Sequence, residues 1–150
     1  MSFSLTVVRS VAREELVLET TTTGTDLFGT DQSIVALRRN GDLVDVATEL
    51  ADGDVIEPVA ADSADGLAIL RHSCAHVTAQ ALQSLFVEAK LGIGPPIVDG
   101  FYYDFDIATA LTPEDLKKIE KHAGRIVKER QRFVRRVVTE AEAAAELAGE

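Results

Sequence analysis

Residues 67–89 read LAILRHSCAHVTAQALQSLFVEA, a run without proline that follows the turn-prone segment ADSAD at 61–65. Apolar and small residues recur in it at steps of three and four, which predicts one long helix with a stripe facing a core. The stripe consists of Leu67, Leu70, Cys74, Val77, Ala81 and Leu85. On this stripe Cys74 is expected to be a buried small hydrophobe rather than a nucleophile. The change of character near residue 61 predicts a boundary between a domain at 1–61 and a second domain at 62–150.

The first predicted domain is rich in strands. Residues 2–9 and 15–20 alternate between apolar and polar side chains, which favours two paired strands. The segment TTTGT at 21–25 is typical of a turn and cap before a helix near 26–28 that ends at Gly29, although a longer helix also fits. Strands are expected at 33–39, 43–46 and 55–59, separated by the turns NGD at 40–42 and DGD at 52–54. About five strands and one short helix predict an α+β fold, and a β-grasp (ubiquitin-like) sheet fits this pattern, as do other α+β folds.

The second predicted domain combines helices with a loop and a possible hairpin. GIGPP at 92–96 indicates the loop, and the aromatic-rich residues 97–105 suit a strand or hairpin. TPED at 112–115 is typical of a helix start, and the buried side of that helix would consist of Leu116, Ile119, Ala123 and Ile126. A strand at 133–138 and an alanine-rich helical tail at 140–147 complete the prediction.

Composition restricts the class of protein. The chain has 150 residues, of which 46% are apolar, and this is enough for one or two modest cores. It shows no signal-like run and no stretch that could cross a bilayer, so we expect a cytoplasmic protein without a membrane partner. The single cysteine excludes an internal disulfide framework, and the net charge of −10 argues against a surface that binds nucleic acid all over.

Two histidines are the strongest candidates for chemistry. His72 and His76 stand four residues apart on the predicted long helix, so their imidazoles project from one face about one turn apart. Such a pair forms half of a metal site or acts in hydrogen bonding and proton transfer, and the spacing alone leaves both open. The third histidine, His122, has no thiols near it in sequence, so a complete metal site is not expected. A metalloprotease helix would need a glutamate where Ser73 stands.

Positive charge is concentrated in the second domain. The first 62 residues carry twelve acidic side chains against four arginines, whereas lysines and arginines crowd residues 117–136. The basic face of the predicted helix consists of Lys117, Lys118, Lys121, Arg125 and Lys128. This pattern is typical of a solvated helix face, and it is also where we would expect RNA to bind.

Several motifs together closely resemble bacterial threonyl-tRNA synthetases. They are RHSCAH at 71–76, LGIGP at 91–95 and DGFYYDF at 99–105. LTPEDL at 111–116 and KIEK at 118–121 are similar to the next block of that family, in the same order. NGDLVD at 40–45 and LADGDV at 50–55 resemble its TGS domain. The resemblance covers essentially the whole chain and implies the N-terminal region, with a TGS domain at 1–61 and the first part of the editing domain at 62–150.

This resemblance implies an enzyme that joins threonine to its tRNA with ATP and hydrolyses wrongly attached serine in a separate editing domain. A pocket that accepts threonine cannot strongly exclude serine, because the missing methyl is worth only about 1–3 kcal/mol. By resemblance, His72 and His76 line the editing pocket, while Gly94 and Tyr103 lie near the aminoacyl-adenosine end. The implied partners are the threonine-specific tRNA and the remainder of the synthetase.

The resemblance also implies what these 150 residues lack. The family's editing site is completed by a later Cys-x-x-x-His motif, and the catalytic core and anticodon-binding domain lie outside this stretch too. We therefore expect a fragment that is inactive or nearly so alone, with no cofactor of its own. ATP, magnesium, structural zinc and a homodimer are implied for the full enzyme only. Two other hypotheses are a freestanding tRNA-binding or regulatory module, and a metal-dependent hydrolase that edits in trans through His72 and His76.

Overall fold

The computed structural model describes residues 2–29, 31–134 and 136–148. The chain contains runs of strands separated by helices, with a mixed sheet and a long helix, so the predicted α+β class is confirmed. The chain forms two compact units, Met1–Leu70 and Arg71–Glu150. They divide inside the long helix, and the domain limits of 1–61 and 62–150 stay a prediction.

The first unit is built on a five-stranded mixed sheet. Its strands and its short helix are β1 (Phe3–Arg9), β2 (Ala12–Leu18), β3 (Thr22–Thr23), α1 (Gly24–Phe28), β4 (Ile34–Arg39), β5 (Asp42–Val44), β6 (Glu49–Leu50) and β7 (Val55–Ala60). The strand order in the main sheet is β2-β1-β7-β4-β5, while β3 and β6 pair separately. β1 and β7 run parallel, and the other neighbours are antiparallel. The first and last long strands are therefore central neighbours, although most of the unit separates them in sequence.

Alternation along the strands produces the core of the first unit. Leu5 and Val7 point to the same side of β1 and are buried together with Leu37, Leu50 and Ile56. The predicted alternation in β1 is thus confirmed. At the start of α1, a methyl group on Gly24 would overlap the Leu37 side chain. The backbone can approach the core this closely only because Gly24 has no side chain.

The second unit contains mainly helices and short strands. The helix α2 (Ala64–Leu85) enters it from the first unit and is followed by β8 (Lys90–Leu91), β9 (Pro96–Ile97), β10 (Gly100–Phe101), β11 (Phe105–Asp106), α3 (Pro113–Glu129) and α4 (Glu140–Glu146). β8 pairs with β11 and β9 pairs with β10, both antiparallel. The buried core joins α2 and α3 through Ala81, Leu82, Ala89, Ile119 and Ile126.

The predicted apolar stripe of α2 is wrong in detail. Leu67 and Leu70 are each 38% exposed, and Cys74 is exposed rather than buried. Ala81 is buried as predicted, and the other buried positions are Ala75, Ala79 and Leu82, outside the predicted stripe. More than one set of positions on this helix recurs at steps of three and four. Because leucine is more hydrophobic than alanine, the pattern predicted the leucine-bearing face as the buried one. The buried face of α2 is therefore formed mainly by alanines, whose small side chains suit close packing.

The later elements match the sequence in part. The predicted helix start at Thr112 is confirmed by a reciprocal capping box with Asp115. Ile119 and Ile126 are buried as expected, whereas Leu116 is 56% exposed. The strand predicted at 133–138 is wrong for the residues that the structure describes, 133, 134 and 136–138, because no neighbouring strand pairs with them. Arg135 of this prediction lies outside the described residues. None of the helices in the described ranges combines the length and the apolar character of a membrane span.

Candidate functional site

Two imidazoles meet on the exposed surface of α2 in the second unit. His72 and His76 are both exposed, and their Nε2 atoms lie 3.1 Å apart. The ring centroids are 4.7 Å apart with an interplanar angle of 35°. One helical turn between the two residues accounts for this convergence. At this distance the Nε2–H of one ring can donate to Nε2 of the other, and the tautomers decide which ring is the donor.

The surroundings of the pair favour the neutral form of His76. Partial burial is the main cause that lowers the pKa of His76 from its usual value, and the neighbouring charge of His72 lowers it further. The ring of Phe133 lies edge-on to His76, with the centroids 6.4 Å apart and an interplanar angle of 63°. A neutral imidazole can accept a proton or orient a water molecule near neutral pH.

An open cavity of about 400 Å³ lies beside the histidine pair. Phe133 belongs both to its wall and to the surroundings of His76. Gln80, one turn after His76 on α2, donates from Nε2 to Oε1 of Gln131 at 2.9 Å. The cavity therefore combines apolar walls with amide groups and the arginines Arg130 and Arg132. Such a mixture suits an organic ligand that carries both a flat apolar part and polar edges.

Sequence reasoning missed the part of this cavity that follows α3. The sequence predicts Phe133 in a strand, and Gln131 belongs to none of the motifs. No local signal connects these residues to His76, because the contact depends on how the chain folds back after α3. The scarcity of aromatic residues, 5% of the chain, is the one feature that could have drawn attention to Phe133.

The two glycine- and tyrosine-rich motifs lie against each other. Gly92 N–H donates to the carbonyl of Asp104 at 2.8 Å, and Asp104 N–H donates to the carbonyl of Ile93 at 2.9 Å. A methyl group on Gly94 would overlap the ring of Tyr103. The Tyr103 ring in turn stacks on Phe105, with centroids 4.7 Å apart and an angle of 14°. Gly94 thus leaves the space that the Tyr103 ring fills.

The candidate residues therefore form two groups. The structure brings His72 to His76 and Gly94 to Tyr103. Among the described residues, no hydrogen bond or ring contact joins one group to the other. The roles assigned to these four residues by resemblance stay predictions.

The basic face of α3 is solvent-exposed at all five predicted positions, Lys117, Lys118, Lys121, Arg125 and Lys128. Lys118 Nζ lies 3.0 Å from Oδ1 of Asp115, one turn earlier. Asp115 also accepts hydrogen bonds from Thr112, and these together with Lys118 lower the pKa of Asp115 to about 2. The ion pair sits at the helix start, where a carboxylate is favoured by the helix dipole.

The described residues contain no group of three or more histidine, cysteine, aspartate or glutamate side chains that could hold a metal ion. A structural zinc site needs about four such ligands. This part of the chain therefore does not fit the structural zinc that the resemblance implies for the full enzyme.

Comparison with known proteins confirms the predicted resemblance. The chain is 58% identical over 146 residues to a threonine–tRNA ligase of Parafrankia sp. (strain EAN1pec), a match that covers 97% of this chain and 22% of the relative. It is 57% identical over 148 residues to that of Cutibacterium acnes, with coverage of 99% and 22%. The match to the ligase of Leifsonia xyli subsp. xyli is 65% over 123 residues, or 82% of this chain and 18% of the relative. No family model matches the chain. The chain thus spans about a fifth of the length of these relatives.

Proposed function

We propose that this chain, which by sequence belongs with the threonine–tRNA ligases, forms their TGS domain and the histidine-bearing first part of their editing domain. The observation that carries the proposal is 58% identity over 97% of the chain to one such ligase. The sheet order β2-β1-β7-β4-β5, with parallel central strands, supports the β-grasp form of the first unit. The convergence of His72 and His76 supports a chemical role for the second.

The reaction that we assign to the second unit is hydrolysis of seryl-tRNA. A water molecule attacks the ester carbonyl, the bond to the ribose oxygen breaks, and serine and the free tRNA are released. In this proposal the histidine pair orients the water and accepts its proton, because a neutral imidazole is suited to both tasks. The proton is then passed to the ribose oxygen as it leaves.

The Gly94 and Tyr103 group would bind the terminal adenosine of the tRNA. The Tyr103 ring already stacks with Phe105, and an aromatic platform of this kind can also stack on a nucleobase. The absence of a side chain at Gly94 leaves the space that this ring occupies. His72 and His76 would act on the aminoacyl group and Gly94 and Tyr103 on the nucleoside.

The activity belongs to the whole ligase in this proposal. The relatives are more than four times as long as this chain, so further residues are expected to complete the editing site, and the 150 residues alone should be inactive or nearly so. ATP, magnesium and structural zinc would serve the aminoacylating part of the full enzyme. A homodimer, threonine-specific tRNA and a cytoplasmic location are also part of the proposal.

The proposal is tested by transplanting this chain into a relative. The matching segment of the Cutibacterium acnes ligase is replaced by these 150 residues, and hydrolysis of seryl-tRNA is measured beside threonine attachment. We expect His72→Ala and His76→Ala to abolish release of serine while threonine attachment continues. His122→Ala, which removes the third histidine, is the matched control and should keep both activities. Undiminished release of serine by the two variants would contradict the assigned role.

A second candidate function is a freestanding tRNA-binding or regulatory module, favoured by the exposed basic face of α3. Contacts between lysines or arginines and phosphates weaken as salt concentration rises. This hypothesis expects salt-sensitive binding of tRNA to the isolated chain. Charge reversal in Lys121→Glu with Arg125→Glu should weaken that binding, and unchanged binding would exclude the face as the contact.

A further inference from the structure

Asn40 is the only asparagine in the chain, and it precedes Gly41 in the turn between β4 and β5. We propose that Asn40 is a site of spontaneous deamidation, that the folded turn holds this reaction back, and that its acidic product prevents the turn from closing again. The modification would therefore remove opened molecules from the folded population. This inference concerns the first unit and does not depend on the proposed editing function.

The reaction is intramolecular and needs only water as a co-reactant. The backbone nitrogen of Gly41 attacks Cγ of Asn40, the bond between Cγ and Nδ2 breaks, and ammonia leaves with the proton that the Gly41 nitrogen gives up. Water then opens the cyclic imide at one of its two carbonyls and gives aspartate or isoaspartate. Glycine after asparagine favours the attack, because it has no side chain to hinder the nitrogen and its backbone is unusually free.

Hydrogen bonds fix both ends of the Asn40 amide in the folded unit. Its Nδ2 donates to Oδ1 of Asp54 at 2.7 Å, and its Oδ1 accepts from the Val55 N–H at 2.8 Å. The Asn40 N–H also donates to the Val55 carbonyl at 2.9 Å. Rotation of the side chain towards the Gly41 nitrogen breaks both side-chain bonds. The rate of deamidation should therefore follow the population of molecules in which the turn is open.

The closed turn is unfavourable for the product. Asp54 is only 6% exposed, and Oδ2 of its carboxylate already accepts from the Ala51 N–H at 2.8 Å. Aspartate at position 40 would place a second carboxylate where Oδ1 now has a donor, so that two like charges meet at a largely buried position. Arg39 Nε lies 4.0 Å from Oδ2, the other oxygen, and so does not separate the two carboxylates. Isoaspartate adds a carbon to the main chain, which a two-residue turn cannot contain without a change of register.

The first test is incubation of the isolated 150-residue chain at mildly alkaline pH, in buffer and in urea, with mass spectrometry of the fragment that contains residue 40. A synthetic peptide of residues 37–44 supplies the intrinsic rate in each solution. Relative to this peptide, we expect the chain to react at least about tenfold more slowly in buffer than in urea, because only opened molecules react. In urea, Gly41→Ala should slow the reaction, since its methyl group hinders the attacking nitrogen. Equal relative rates in the two solutions, or no effect of Gly41→Ala, would overturn the proposal.

The second test measures the effect of the product directly in Asn40→Asp. Hydrogen exchange of the β4 and β7 amides should be at least about tenfold faster in this variant than in the original chain. Asn40→Gly is the matched control, because it removes the amide without adding a charge and glycine readily adopts the φ of 53° found here. The control should lose less protection. An Asn40→Asp chain that is as well protected as the original chain or as the control would contradict the proposal.

A reciprocal exchange distinguishes repulsion between carboxylates from a general failure to fold. In Asn40→Asp combined with Asp54→Asn, the new amide can donate to the new carboxylate and still accept from the Ala51 N–H. This double variant should regain protection relative to Asn40→Asp alone, and no recovery would also overturn the proposal. Because no tRNA is present, failure here leaves the editing proposal untouched.

Discussion

Asn40 Nδ2 donates a hydrogen bond to Oδ1 of Asp54 at 2.7 Å, so the two glycine-containing turns of the first unit are tied together by their polar side chains. Asn40 Oδ1 also accepts from the Val55 N–H at 2.8 Å, and Asp54 Oδ2 accepts from the Ala51 N–H at 2.8 Å. Asn40 has a φ of 53°, which asparagine tolerates better than most residues. The NGD motif at 40–42 and the DGD motif at 52–54, predicted as separate turns, are therefore joined in one hydrogen-bonded structure.

Removal of the Asp54 carboxylate should destabilise the first unit. Asp54 is only 6% exposed, and Asp54→Ala would leave the Asn40 amide and the Ala51 N–H without their acceptor. We expect a loss of about 2–3 kcal/mol in the free energy of unfolding of this unit. Hydrogen exchange of the β4 and β7 amides measures it. Asp42→Ala, at the exposed first residue of β5, is the control, and an equal effect of both changes would contradict the prediction.

Gly94→Ala should displace the Tyr103 ring. The added methyl would overlap that ring, and such overpacking costs about 1–3 kcal/mol. We expect changed ring-current shifts for Phe105, which stacks on Tyr103, together with lower stability of the second unit. Gly100→Ala is the matched control, because a methyl there has nothing within 4 Å. If the overlap is the cause, adding Gly94→Ala to Tyr103→Ala should cost no further stability, and a full additional loss would contradict it.

Thr112→Ala should weaken the start of α3. The Thr112 hydroxyl accepts from the Asp115 N–H at 3.2 Å, and loss of such an N-cap costs about 1 kcal/mol. The measurement is hydrogen exchange of the first-turn amides of α3. Thr109→Ala, at an exposed residue before the helix, should have no such effect. Equal protection in both variants would show that the cap contributes nothing.

The same cap predicts a dependence on pH. The Thr112 hydroxyl, which donates to Asp115, and Lys118 lower the pKa of Asp115 to about 2, below its unfolded value of 3.8. The ionised carboxylate therefore stabilises the fold fully above pH 4, and this contribution is lost as the pH falls towards 2. NMR titration of the Asp115 carboxyl should show a higher pKa in Thr112→Ala. An unchanged value would refute the assigned cause.

His72→Ala should raise the pKa of His76. The charge of His72 is one of the two causes that lower this pKa, and partial burial, the larger one, remains in the variant. The shift should therefore be an increase that stops short of the ordinary value of 6.5. An NMR titration of the His76 ring in the presence of a chelator measures it. A decrease would mean that the two rings stabilise, rather than oppose, a charge on His76.

Local signals predicted the elements of this protein better than its contacts. The alternation of Leu5 and Val7 and the cap at Thr112 depend on neighbours within a few residues, and both were predicted correctly. The buried face of α2 depends on which neighbour approaches the helix, so hydropathy selected Leu67 and Cys74 although Ala75 and Ala79 are buried.

The candidate site shows the same division between local and distant information. The four-residue spacing of His72 and His76 predicted their convergence, since helix geometry alone brings them together. The approach of Phe133 to His76 could not be predicted, because residues far apart in sequence meet there only through the turn after α3. A strand at 133–138 was expected from β-favouring residues, but strand formation also requires a pairing partner, which a single segment cannot supply.

The alanines on the buried face of α2 have a consequence for mutational tolerance. Ala75 and Ala81 are fully buried and Ala79 nearly so, so their methyl groups leave little room for a longer side chain. A change to leucine at these positions would increase hydrophobicity and yet be selected against, whereas the exposed Leu67 and Leu70 can vary more freely. Natural variation along this helix should therefore follow side-chain volume, with the alanines more constrained than the leucines.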